Sequence, residues 1–74
     1  MLSSMNTKIL EKLGMQLKIA RKNKGLTQEQ LAEKVKIHPT YVGKLEAGKN
    51  NVSVKMLYKI ANALDIKLKD LFDF

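Results

Sequence analysis

The side chains in this chain that could do chemistry are mostly cations. Lys18, Arg21, Lys22, Lys24, Lys34, Lys36, Lys44 and Lys49 lie in or near one central stretch, while Asp65, Asp70 and Asp73 gather at the C-terminal end. Fourteen basic residues against seven acidic ones give a formal net charge of +7 on 74 residues. A surplus this large on so short a chain favours a polyanionic partner, and its asymmetry would orient the molecule on a phosphate backbone. Catalysis finds no comparable support. No nucleophile–base pair is recognisable, and the three serines stand at the chain start or at a helix cap. Metal-ligand clusters are absent from the sequence, so no enzyme, metal site or cofactor is expected. His38 is the sole histidine, and its place at a helix start suits a cap. With no cysteine there is no disulfide framework, and a reducing cytoplasm is the natural setting. No apolar run approaches the roughly 20 residues of a membrane span. The N-terminal MLSSMNTKIL lacks the cationic start and long apolar stretch of a signal peptide, so no membrane partner is expected.

The elements that must position these cations are short amphipathic helices. Residues 1–5 are expected to be a flexible end, followed by a single domain over residues 6–74. Ser4, Asn6 or Thr7 could cap a first helix whose inward residues Ile9, Leu10, Leu13, Leu17 and Ala20 recur at three- and four-residue steps. Gly25 suits a left-handed cap at its end, and Gly14 inside it points to close approach by a neighbouring helix. Thr27 and Gln30 match the capping-box pattern at the start of a second helix, with Leu26 as a hydrophobic staple. Leu31, Ala32 and Val35 form its inner face, and it should end near Lys36. Ile37 fills a turn, His38 caps a third helix and Pro39 is its first residue, where a missing N–H is harmless. Val42 and Leu45 face inward, and Gly48 closes that helix before the exposed turn Lys49–Asn51. Ser53 caps a fourth helix with Val54, Leu57, Ile60, Ala61 and Leu64 inward. Ile66, Leu68, Leu71 and Phe72 suffice for one or two turns of a fifth. The expected fold is all-α, a compact five-helix domain with short connections.

The stretch Thr27–Gly48 organises the rest. Two helices joined by a tight turn pack stably only where their contact positions are small or apolar, and Ala32, Ile37, Leu31, Val42 and Leu45 meet that need. The outward face of the third helix is then free to enter a DNA major groove, while the N-terminus of the second points at a phosphate.

LTQEQLAEKVKIHPTYVGKLEAGK resembles the helix-turn-helix of the phage repressor and Cro-like regulators, the XRE class. The resemblance covers about residues 13–72 and includes L-G-x-x-L-x-x-A-R (Leu13–Arg21), L-x-x-I-A-x-A-L (Leu57–Leu64) and L-x-x-L-F (Leu68–Phe72). It implies a five-helix repressor-like domain that binds a palindromic operator as a dimer. The set His38, Thr40, Tyr41, Val42, Gly43, Glu46, Gly48, Asn51, Val52 and Ser53 further resembles the controller proteins of restriction–modification systems. Two positions depart from that pattern. Pro39 stands where controllers commonly carry an arginine, and Lys36 stands where glycine is common at the turn.

The resemblance also implies residue roles. Pro39, Thr40, Gly43 and Lys44 take the groove-facing positions of the third helix. Thr40 can bond a base edge or touch a thymine methyl, and Lys44 can donate to guanine. Pro39 has no donor and Gly43 no side chain, so direct readout is sparse and DNA shape carries more of the specificity. Thr27, Gln28, Tyr41, Lys49, Asn50 and Asn51 are the expected phosphate contacts, which position the protein without reading sequence. Arg21 is the single arginine among thirteen lysines, which suits a role needing a planar fork. The resemblance places it beside Glu46, where a bidentate pair would brace the recognition helix. Tyr58, Leu68, Phe72 and Phe74 are the expected homodimer surface. The competing reading is a protein-interaction module of antitoxin-like kind, with DNA binding secondary. No small-molecule ligand is expected, since five short helices leave little room for a cavity.

Overall fold

The computed structural model describes residues 2–74, with side chains described from residue 8. The chain forms α1 (Leu2–Asn23), α2 (Gln28–Val35), α3 (Pro39–Glu46) and α4 (Val54–Ala63), then a short 3-10 helix, η1 (Leu68–Phe72). Among the described residues there is no strand. The expectation of five α-helices is corrected at its last member. LKDLF is too short to build an α-helical ladder, and it closes with a three-residue bond from Asp70 N–H to the Lys67 carbonyl at 2.9 Å. Helix α1 also begins at Leu2, before the capping residues Ser4, Asn6 and Thr7 that the sequence offered.

The core draws on every element. Leu13 and Leu17 of α1 join Leu31, Ala32 and Val35 of α2, Val42 and Leu45 of α3, Leu57, Ile60 and Ala61 of α4, Leu64 just beyond it, and Leu71 of η1. Two apolar residues expected inside are not. Ile9 is half exposed and Val54 is 67% exposed. Ile9 lies in the first half of α1 and Val54 is the first residue of α4, and no neighbouring element covers either position. Helical spacing identifies a face, but not how far along the helix that face stays covered.

The four α-helices end in the same way. In each, the residue after the last turn donates to the second carbonyl back from the cap, and its successor reaches one carbonyl further: Gly25 and Leu26 to Lys22 and Arg21, Lys36 and Ile37 to Glu33 and Ala32, Gly48 and Lys49 to Leu45 and Lys44, Asp65 and Ile66 to Asn62 and Ala61. The motif needs a left-handed residue. Glycine supplies it twice, whereas Lys36 (φ 61°) and Asp65 (φ 60°) adopt it despite a Cβ.

Gly14 sets how closely α1 and α3 approach. A Cβ built there would meet the Leu45 carbonyl oxygen and lie 2.5 Å from that of Glu46. Only hydrogen fits, which explains a glycine in mid-helix.

Candidate nucleic-acid interface

Helix α3 starts cleanly because both of its first positions are prepared. The His38 side chain accepts the Thr40 N–H through Nδ1 at 3.1 Å, and Pro39 occupies the first helical position. Burial then divides the helix into faces. Val42, Leu45 and Glu46 are buried, and Tyr41 is half-buried against the core. Thr40 and Lys44 are exposed one turn apart, on the side opposite Val42 and Leu45. Pro39 and Gly43 are half-buried on the flank facing α2.

Helix α2 abuts that flank with its N-terminus. Thr27 Oγ1 accepts the Gln30 N–H at 3.0 Å, and Gln30 Oε1 accepts the Thr27 N–H at 2.8 Å. This capping box leaves the N–H groups of Gln28 and Glu29 at the open end of the helix, where its dipole favours an anion.

Three side chains tie these helices to α1. Arg21 is 7% exposed and Glu46 9% exposed. The guanidinium donates from Nε to Glu46 Oε2 at 2.6 Å and from Nη2 to Oε1 at 3.1 Å. Its Nη1 donates to the Leu26 carbonyl at 2.7 Å, just ahead of the α2 cap. A lysine could not reach these acceptors at once, because its donors diverge from one point. Gln28 joins from the far side. Its Nε2 donates to Glu46 Oε1 at 3.0 Å, and its amide lies over Gly43, where a Cβ would be 3.6 Å from Gln28 Oε1. Sequence reasoning foresaw Gln28 reaching out for phosphate and missed this contact. The signal was the missing side chain at Gly43, which leaves the space that Gln28 crosses.

The turn after α3 carries Lys49 and Asn51 exposed and Asn50 half-buried. Gly48 anchors it against α1: at φ 72° a Cβ would lie 2.7 Å from Glu11 Cα. The exposed Thr40, Lys44, Lys49 and Asn51, with the open end of α2, therefore occur on adjoining elements held to one scaffold. The expected dimer residues are less unified. Tyr58 and Phe72 are exposed, but Leu68 is partly buried against the core. Phe74 turns toward α1, with its ring 5.9 Å from Lys12 Nζ and Met15 lining the same groove. Its centroid is 6.5 Å from that of Phe72.

Comparison with known proteins places the chain in a family. A family model described as helix-turn-helix matches residues 17–71. The control protein C.BamHI of Bacillus amyloliquefaciens is 39% identical over 59 residues, covering 80% of this chain and 70% of that protein. The crystal structure of the restriction–modification controller protein C.AhdI from Aeromonas hydrophila superposes with a TM-score of 0.83 at 44% identity, over 85% of this chain and 96% of that one. SinR, a Bacillus subtilis regulator solved in complex with DNA, superposes with a TM-score of 0.77 at 32% identity, over 82% of this chain and 98% of that one.

Proposed function

The chain belongs to the helix-turn-helix family of XRE-class DNA-binding transcriptional regulators, and from that premise we propose that it binds a palindromic operator as a homodimer, in the manner of a small controller protein of a restriction–modification system. The observation that carries this reading is the exposed pair Thr40 and Lys44 on a helix braced by the buried Arg21–Glu46 pair. In the proposed complex α3 enters the major groove, with Lys44 donating to guanine and Thr40 contacting a neighbouring base. Pro39 and Gly43 lie along the same groove and add shape complementarity only. The free N–H groups at the start of α2, with Thr27 and Gln28, hold a phosphate on one side. Tyr41, Lys49, Asn50 and Asn51 contact backbone on the other. Two such helices in a dimer would be spaced by about 34 Å, one turn of B-DNA. Tyr58 and Phe72, with the neighbouring Leu68 and Phe74, form the proposed interface.

Selection from random duplex DNA with the purified protein tests the reading. It should enrich a palindrome, bound with a steep loss of affinity as salt rises, because each phosphate contact releases counterions. Failure to enrich any palindrome overturns the operator claim. Capture of a protein partner through an interaction that does not vary with salt would favour an interaction module instead.

A further inference from the structure

Glu46 does more in this geometry than hold Arg21. Its Oε1 takes two hydrogen bonds, from Arg21 Nη2 at 3.1 Å and from Gln28 Nε2 at 3.0 Å. We propose that Glu46 is the positioning residue of the Gln28 phosphate contact, so that Arg21, Glu46 and Gln28 form one relay from α1 to the DNA backbone. The proposal rests on the DNA-binding reading above and says how one contact in it is built.

The chemistry follows from donor and acceptor types. A carboxylate only accepts, so it selects the Nε2 end of the Gln28 amide. Nε2 carries two hydrogens, and Glu46 uses one. A phosphate also only accepts, and the second Nε2 hydrogen is the donor this side chain can offer it. A free glutamine amide rotates and presents its oxygen as readily as its nitrogen. Glu46 removes that freedom and keeps the donor outward. A bare carboxylate beside a DNA phosphate would repel it. Arg21 occupies both carboxylate oxygens and cancels that charge, so Glu46 can stand this close to the interface. Gly43 lies under this amide, where even a Cβ would already be in van der Waals contact with it, 3.6 Å from Gln28 Oε1.

The conservative variant Glu46→Gln makes a sharp test. Its amide can offer Arg21 one oxygen, and then turns its nitrogen toward Gln28, which forces the Gln28 amide to reverse. Affinity for the selected operator is measured for wild type, Gln28→Ala, Glu46→Gln and the double variant. Operators with single methylphosphonates locate the phosphate concerned. Gln28→Ala should cost about tenfold in the wild-type background, the scale of one hydrogen bond to a charged group, and less than about twofold on top of Glu46→Gln. Neutralising the phosphate at the start of α2 should weaken wild type several-fold more than either single variant, in which the α2 N–H groups still hold that phosphate but the Gln28 amide does not. A merely structural role for Glu46 would lower affinity without that phosphate-specific signature. Equal losses from Gln28→Ala in both backgrounds overturn the proposal while leaving DNA binding intact. If no DNA is enriched at all, the DNA-binding reading fails instead. The side-chain amide resonances of Gln28 in the free protein decide the positioning claim separately. They should shift in Glu46→Gln and in Gly43→Leu, whose change lies on the partly exposed flank of α3, and unchanged resonances in both variants overturn it.

Discussion

At the scale of single residues, Arg21 carries the most weight. Among the described residues it is the one buried cation, and its three donors reach α3 and the loop before α2. Breaking a buried pair from one side strands the other charge, at a typical cost of about 3–5 kcal/mol. Arg21→Lys keeps the charge but loses the fork. It should weaken operator binding more than Lys22→Ala does, since Lys22 is exposed and makes no such contacts. Both variants can be compared in a mobility-shift assay at fixed salt, and equal losses would show that the brace is irrelevant to binding. The exposed pair between Lys24 and Asp65, at 3.7 Å, contrasts with it. Solvent-exposed ion pairs contribute little, so the loss of this pair is not expected to matter for folding.

At the scale of elements, two glycine-related positions give opposite expectations. Helix propensity alone says that Gly14→Ala should stabilise α1 by about 1 kcal/mol. The structure says otherwise, because the added methyl would press on backbone carbonyls of α3 that cannot swing aside. The clash wins, and Gly14→Ala should lower stability by about 2 kcal/mol or more. A raised melting temperature would contradict the packing of α1 on α3. Lys36→Gly should act in reverse. It relieves a left-handed residue carrying a Cβ and should gain about 0.5–1 kcal/mol, or roughly 3–6 °C in a domain of this size. Asp65→Gly should gain less, because aspartate tolerates that conformation better. A larger gain at Asp65 than at Lys36 would count against that ranking.

The same elements show what the sequence made legible. The caps at Thr27, His38 and Ser53 were readable because each uses a local rule linking a polar side chain to an N–H two or three residues on. The glycine in mid-α1 was readable because its propensity cost demanded a packing reason. Lys36 and Asp65 were harder, since neither is the glycine that usually marks a left-handed residue. At Lys36 only the departure from the family's glycine hinted at it. Ile9 and Val54 were misplaced because periodicity has no information on where the neighbouring helices stop. In the candidate site, the pairing of Arg21 with Glu46 came from family resemblance across 25 residues of sequence separation. The Gln28 contact to Glu46 spans 18 residues and depends on side-chain packing that no local pattern encodes.

At the scale of the whole molecule, a core to which the described residues contribute a dozen buried apolar side chains supports a domain of modest stability. Exposed Tyr58 and Phe72 add apolar surface that a monomer leaves wet. The proposed dimer would cover it. Phe72→Glu should therefore leave the fold intact, since Leu71 and not Phe72 closes the core, yet shift the protein to monomer in sedimentation experiments. A wild-type protein that is monomeric at every concentration, or a variant that stays dimeric, would remove this face as the interface.

In the proposed complex the outward face of α3 reads DNA while the surrounding cations hold its backbone. Parallel selection from random DNA with wild type, Lys44→Ala and Lys49→Ala tests it most directly. Lys44→Ala should relax preference at one position of each half-site, worth about 1–3 kcal/mol of discrimination, while Lys49→Ala weakens all sequences alike and lowers the salt slope by about one. If Lys44→Ala leaves the enriched site unchanged at every position and only reduces overall affinity, α3 does not read bases through Lys44.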